Sequence, residues 1–318
     1  MEVVQISDPG AFPFPKGEEP NFFCAPFWLG HFGAEAQMYA VMNGDIAAAV
    51  FHLYTYRRAG LRFVINSPLS PHIGLTIFHK AETIYARNHT VKQVLRAVTD
   101  FLESTFRGAM IDFALPANIR DPQPFQRAGI LVTPKISYRL DLTRSEPELL
   151  KEMSTKRRRS VKTAEKEGLE FLTDVHGSTC RAIINATLKK AGTAAHEALL
   201  DRLFDAVGDK VFYIAVLRDG LAVATALAAG DKRCAHYIIG GHSDAAGPHA
   251  GTAAVWALVR EAKRRGFREF DFNGSSVPSV EQFFRGFGAE ISDFYRVQSS
   301  PAIVRTLHEW AQKLKTVG

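Results

Sequence analysis

Two segments in the second half of the chain carry the residue types that chemistry needs. The first, Gly240-Gly241-His242-Ser243-Asp244 through Gly251-Thr252, sets an imidazole, a side chain able to accept or donate a proton, in a glycine-rich loop. An apolar helical pattern follows it, and free backbone N–H groups at a helix start can face an anion, phosphate above all. The second, Phe270-Asp271-Phe272-Asn273-Gly274-Ser275-Ser276, ends a strand pattern in a turn. Gly274 permits close backbone approach there, and the hydroxyls of Ser275 and Ser276 can bond a ligand or cap the turn. Beyond it, Phe284 and Arg285 close a short helical pattern, with Glu281 four residues before Arg285 on the same face. The phenols of Tyr237 and Tyr295 can donate protons.

Other chemistries lack their motifs. No G-x-x-x-x-G-K-[ST] loop is present and no G-x-G-x-x-G follows a strand, so nucleotide hydrolysis and Rossmann-type hydride transfer have no support. Gly241-His242-Ser243-Asp244-Ala245 approaches a nucleophile elbow, but Ala245 stands where its second glycine belongs. The 11 histidines include no H-E-x-x-H pair, and no metal site is expected.

The elements that must position these residues come in two copies. Ile111-Asp112-Phe113, Phe125-Gln126-Arg127-Ala128-Gly129 and Tyr138-Arg139 are echoed by Phe270-Asp271-Phe272, Phe283-Phe284-Arg285-Gly286-Phe287-Gly288 and Tyr295-Arg296. The same seventeen-residue interval separates Asp112 from Gly129 and Asp271 from Gly288. Upstream of each copy, an apolar run meets a hairpin signal, Asn43-Gly44-Asp45 or Asp219-Gly220. The duplication predicts an α/β protein of two similar lobes, mixed sheets with flanking helices, over 1–143 and 144–318, with a ligand cleft between them.

Strands are expected at 37–43, 46–56, 61–66, 109–114 and 131–142 in the first lobe, with a helix over 91–106 on the spacing Val91, Val94, Leu95, Val98, Leu102. The segment to Leu29, rich in Phe and Pro, is expected to lack regular structure. A capping box at Ser145-Glu146-Pro147-Glu148 predicts one helix running to Glu167. A terminal helix over 301–316 carries the stripe Ile303, Val304, Leu307, Trp310, Ala311, Leu314, suited to docking on the protein or to peripheral membrane contact.

Composition fits a soluble chain: 46% hydrophobic, 23% charged, and no apolar run of about 18 residues. The N-terminus lacks a signal-peptide pattern, so a cytoplasmic location is expected. Cys24, Cys180 and Cys234 are odd in number and widely spaced, which predicts buried free thiols. A net charge of +6, concentrated in Lys156-Arg157-Arg158-Arg159 and in Arg260, Lys263, Arg264, Arg265 and Arg268, favours anionic partners.

The run from Phe270 to Gly288, ending in Phe294-Tyr295-Arg296, resembles the FemAB branch of the GNAT-like acyltransferases, where a strand bearing Asp-Phe-x-Gly leads to Phe-Lys or Phe-Arg and then Phe-Gly. The basic run Lys156 to Leu169 is similar to that family's entry to its second lobe, and Pro68-Leu69-Ser70-Pro71-His72-Ile73-Gly74 resembles small Bacteroidetes-type acetyltransferase-like members. The resemblance implies two tandem GNAT-like lobes and acyl transfer to an amine. The donor would be a thioester of coenzyme A or acyl carrier protein, a co-substrate and not a tightly bound cofactor. The acceptor would be a small-molecule or lipid-type amine, with no DNA partner. Aminoacyl-tRNA as donor to a peptidoglycan precursor is the alternative, and a non-catalytic ligand-binding lobe pair is a third reading. The family's long coiled-coil arm has no counterpart in 178–207, which favours the thioester.

Within this chemistry Arg285 takes the place of the family's Phe-Lys cation, for oxyanion or phosphate contact, with a Glu281 salt bridge as its other reading. His242 would accept the amine proton, and Tyr237 or Tyr295 would protonate the leaving group. Gly251, Thr252, Gly274, Ser275, Ser276 and Phe284 are the expected donor or substrate contacts. The usual Q/R-x-x-G-x-G/A pyrophosphate loop is absent, leaving Gly247 and Gly251. Asp271, matched by Asp112, reads as a structural residue shared by both copies.

Overall fold

Both hairpin signals lie between paired antiparallel strands in the computed structural model, which describes residues 1–78, 83–190, 192, 197–231 and 233–301. Asp219 and Gly220 adopt φ of 51° and 76°, the left-handed pair that a two-residue hairpin demands.

The chain divides into two compact units, one of Met1–Lys135 with the chain from Asp293 on, the other of Ile136–Ser292. These boundaries differ from the expected 143/144, and the strand pairing below gives the reason. The first unit holds β1 (Glu2–Ile6), β2 (Ala36–Asn43), β3 (Ile46–Arg58), β4 (Leu61–Ile65), β5 (Thr76–Ile77) and β6 (Met110–Ala114), with helices α1 (Pro26–Leu29), α2 (Ile84–Thr105) and α3 (Gln123–Arg127). Strand β7 (Leu131–Asp141) leads into the second unit, which holds β8 (Glu170–Thr173), β9 (Val211–Arg218), β10 (Leu221–Gly230), β11 (Cys234–His242) and β12 (Glu269–Asp271). Its helices are α4 (Glu146–Glu152), α5 (Thr155–Lys166), α6 (Gly177–Lys190), α7 (Glu197–Asp205), α8 (Ala250–Arg264) and α9 (Pro278–Arg285), and β13 (Glu290–Ser299) follows.

The two units share one plan. In the first, β2, β3 and β4 form an antiparallel meander, α2 crosses over, and β6 returns parallel to β4. In the second, β9, β10 and β11 do the same, α8 crosses over, and β12 returns parallel to β11. Asp112 and Asp271 thus occupy equivalent strands, as the duplication predicts. The final strands are exchanged: β13, from the second repeat, pairs with β6, and β7, from the first, pairs with β12. A boundary between sequence repeats therefore does not coincide with a boundary between folded units.

Each unit has its own core. Phe51, Leu53, Val98, Phe113 and Phe125 lie in the first, and Trp256, Phe270, Phe272 and Phe287 in the second. Their burial supplies the main driving force for folding, at about 25 cal/mol per Å² of apolar surface.

Several local expectations change. Helix α2 starts at Ile84, where Thr83 accepts a bond from the Ala86 N–H; Ile84 and Tyr85 are exposed, so no apolar stripe marks that first turn. The capping box at Ser145 forms, but the helix breaks at Met153, and Ser154 caps a new one by accepting from the Arg157 N–H. The N-terminal segment contains β1, paired with β2. The 301–316 helix lies outside the described residues, apart from Pro301. All three cysteines are free and buried, and no helix among the described residues is long and apolar enough to cross a membrane.

Candidate active site

The second unit opens where β11 and β12 part. Their parallel register covers Cys234–His236 against Glu269–Asp271, after which β12 ends and β11 runs on to His242. Asn273 Nδ2 donates to the Tyr237 carbonyl at 2.8 Å, and from Ile238 onward that side of β11 has no strand partner. Its far end reaches Ser243 and a short turn that leads to α8, whose first residues are Ala250, Gly251 and Thr252.

Two glycines keep this strand tight. A Cβ on Gly240 would stand 2.5 Å from the Tyr237 hydroxyl and 2.9 Å from the Thr225 carbonyl, and one on Gly241 would meet Thr187 and Ile183 of α6. The Tyr237 ring packs edge-on against Phe284 at 5.3 Å, and burial pushes its hydroxyl pKa up, so the phenol keeps its proton at neutral pH.

At the start of α8 sits a cation that the sequence reading left within a charge cluster. Arg157 donates from Nη1 to Thr252 Oγ1 at 3.1 Å, and its guanidinium lies 4.1 Å from the centre of the Phe283 ring. A Cβ on Gly286 would come within 3.0 Å of the Arg157 Cγ. Desolvation lowers the Arg157 pKa, and among the described residues no carboxylate pairs with it. A half-buried guanidinium without a counter-ion beside free helix N–H groups offers charge and hydrogen-bond donors suited to an anion. The only sequence signal for it was Arg157's place among four consecutive cations.

The expected site residues fall into separate groups. His242 and Gly251 belong together, since a Cβ on Gly251 would lie 3.5 Å from His242 Cδ2. Thr252 is buried and engaged by Arg157. Phe284 is a core residue, stacked on Phe272 at 5.2 Å, and does not present itself as a ligand contact. Gly274 has φ of 65°, and any Cβ there would collide with the Ile136 carbonyl of β7, so its role is close backbone packing. Ser275 accepts from the Val277 N–H at 3.1 Å ahead of α9, and Ser276 is exposed. Tyr295 lies in the other unit, packed against that unit's core.

His242 and Tyr237 point to one face of β11, because the bulge in the β10–β11 register at Ile238 resets the alternation: Tyr237 stands opposite Ala228 and His242 opposite Ala224. The Tyr237 hydroxyl lies beside Gly240, on the way to His242. Arg285 forms its ion pair with Glu281 at 3.0 Å, and its side chain is 62% exposed. Glu281 also accepts a short hydrogen bond from the Tyr138 hydroxyl, so the carboxylate that aims Arg285 is itself held.

At the divergence lies a buried polar group. Ser137 and the Asn273 N–H donate to Asp271 Oδ1, and Arg139 donates twice to Oδ2. Burial raises the Asp271 pKa, but His236, Arg139 and Ser137 outweigh it and leave the carboxyl below its usual range. His236 Nδ1 meets Asn273 Oδ1 at 2.9 Å. Donor atoms of Cys234, His236 and Asp271 lie within 4.8 Å of one another, a spacing a metal could use. The Arg139 guanidinium already fills one Asp271 oxygen with positive charge, and burial pushes the Cys234 thiol well above its ordinary pKa. That arrangement suits an ion pair better than a cation site.

The family model described as "Acetyltransferase (GNAT) domain" matches residues 144–285. No curated protein matches the sequence. Among solved structures, FemX aligns over 93% of this chain and 97% of its own, with a TM-score of 0.63 at 13% identity. A tandem GNAT protein from the clavulanic acid biosynthesis pathway aligns over 95% and 99%, with a TM-score of 0.51 at 13% identity. L-PGS from Bacillus licheniformis aligns over 85% and 86%, with a TM-score of 0.51 at 13% identity. These likenesses are of fold, and they agree with two tandem GNAT-like units.

Proposed function

We propose that this chain, whose residues 144–285 match the acetyltransferase (GNAT) domain, is an N-acyltransferase moving an acyl group from a thioester donor, acyl-CoA or an acyl carrier protein, to a small-molecule or lipid-type amine. The observation that supports this reading is the run of β11 from Ile238 to His242 that β12 leaves without a strand partner, ending near Arg157. Amide groups of a pantetheine arm can pair with such a strand edge as an added strand would, and phosphate can rest on the α8 N–H groups and Arg157. The strand spans about 16 Å, enough to separate the phosphate end from the reacting carbonyl.

In this arrangement the neutral amine attacks the acyl carbon, forming the N–C bond as the C–S bond breaks. The Tyr237 phenol gives its proton to the departing thiolate and regains one from the amine, so protons balance. Arg285, held by Glu281 and Tyr138, supplies positive charge for the developing oxyanion. His242 serves the phosphate end, with Gly251.

A second reading has one observation in its favour: Lys156 and Arg159 of α5 remain exposed beside Arg157, a surface that a large polyanionic donor such as aminoacyl-tRNA could use. In the described part of 178–207, α6 and α7 leave little room for an inserted arm, which favours the thioester.

The test is binding by native mass spectrometry of acyl-CoA, acylated carrier protein and aminoacyl-tRNA, repeated with Arg157→Ala. The thioester reading expects acyl-CoA or carrier-protein binding that weakens about ten-fold or more in the variant. Binding of aminoacyl-tRNA alone makes the second reading the correct one, and binding without turnover of any amine leaves a ligand-binding protein.

A further inference from the structure

The first unit has a cavity of about 300 Å³ between α2 and α3, lined by none of the residues placed in the candidate site. Lys92 and Arg96 approach it from successive turns of α2, and Gln123 and Arg127 from α3, over a floor of Pro124 and Ala128. The lining carries three cations, Lys92, Arg96 and Arg127, against one carboxylate, Asp100. Lys92 Nζ reaches Asp121 at 3.1 Å and Gln123 Oε1 at 3.3 Å, and Arg127 donates to the same Gln123 oxygen at 3.3 Å. Two positive groups thus share one uncharged amide oxygen. Arg96 has no carboxylate partner among the described residues, although Asp100 lies one turn away on its own face. Thr99, also in the lining, spends its proton on the Leu95 carbonyl at 2.7 Å. The volume sits at the small end of ligand sites, where a few polar groups orient a ligand over an apolar floor.

We propose that this groove binds a phosphate monoester, its oxygens taken by the planar donor forks of Arg96 and Arg127 and its organic part lying on Pro124 and Ala128. Arginine suits phosphate because its N–H groups match the oxygen spacing two at a time. Lys92, fixed by Asp121, adds charge without making the first contact. The monoester could belong to a soluble metabolite or to a lipid headgroup, and the groove recognises the group they share.

The experiment titrates the full chain with inorganic phosphate and with glycerol 3-phosphate by calorimetry, and with vesicles containing phosphatidic acid by co-sedimentation. Wild type is compared with Arg96→Ala/Arg127→Ala, Arg96→Lys/Arg127→Lys and Arg157→Ala. Both arginines are exposed, so the double variant should fold, and its melting curve checks this. Expected is binding that weakens at least about ten-fold in the alanine pair, recovers in part in the lysine pair and persists in Arg157→Ala. Binding to glycerol 3-phosphate identifies a soluble ligand, and binding to vesicles alone a lipid. Equal affinity in wild type and the alanine pair, loss only in Arg157→Ala, or no binding at millimolar concentration overturns the proposal. The Arg157→Ala arm reads the donor seat separately, so a failure here leaves the acyltransfer reading untouched.

Discussion

Arg139, on the last strand of the first repeat, holds Asp271 of the second repeat through Nε and Nη2, at 3.2 and 2.8 Å from one carboxylate oxygen. The relationship is reciprocal: Arg296 of the second repeat holds Asp112 of the first, with Nε 2.6 Å from Oδ1. The repeated Asp and the repeated Tyr-Arg pair are therefore two ends of one interaction, made crosswise because β7 and β13 are exchanged.

The two pairs should differ in strength. The Asp271 side chain is 8% exposed and that of Asp112 38%, so Arg139→Leu leaves a buried carboxylate uncompensated while Arg296→Leu leaves a hydrated one. Chemical denaturation is expected to show a loss of about 3–5 kcal/mol for the first and about 1 kcal/mol or less for the second. Equal losses would mean that Asp271 is less desolvated than its packing implies.

Arg285→Ala should lower kcat about 100-fold with substrate affinity nearly intact, if its charge meets the oxyanion. Its exposed ion pair with Glu281 contributes little, so the melting midpoint should move by less than about 1 kcal/mol in equivalent stability. A raised KM with kcat spared would assign Arg285 to phosphate, and unchanged constants would reduce it to a surface salt bridge.

Stability should fall in acid through buried histidine. His52 is fully buried, with its pKa pushed down by desolvation to about 3. The unfolded chain binds that proton near pH 6.5, so stability is whole above 6.5 and is lost as the pH drops toward 3, by up to ~1.4 kcal/mol per pH unit. His236 acts in the same direction. Melting curves at stepped pH should be steeper in wild type than in His52→Gln; identical slopes would remove His52 from the account.

Glycine replacements separate turn strain from collision. Gly44, with φ of 60°, has open space where a Cβ would go, and Gly274, with φ of 65°, has the Ile136 carbonyl. Gly44→Ala is expected to cost about 1 kcal/mol, and Gly274→Ala clearly more, since a backbone shift is added to the same strain. Comparable melting temperatures for the two variants would contradict the close approach of the turn to β7.

Much of this was legible in the chain. The hairpin dipeptides, the apolar periods and the seventeen-residue interval marked the meander, the crossover and the return strand of each repeat, because local chemistry governs them. Gly129 and Gly288 share φ of 74°, which is why the interval ends in glycine twice. Strand exchange was not legible, since pairing partners far apart in sequence leave no local trace. The polar group of Cys234, His236 and Asp271 was hidden for the same reason, being assembled from two strands and a distant Arg139. The helix break at Met153 is set by a tertiary contact, the Ser154 N–H donating to the Gly286 carbonyl at 2.9 Å. Arg157 could have been singled out only by knowing that Thr252 and Phe283 converge on it.

The exchanged strands also bear on synthesis. The edge of β6 is complete once Ala114 has left the ribosome, yet its partner begins near Asp293. At ordinary elongation rates of about 5–20 residues per second, that hydrogen-bonding edge stays uncovered for roughly ten to forty seconds. Nascent chains on neighbouring ribosomes could pair there, and the first unit finishes its sheet only after the second has been made.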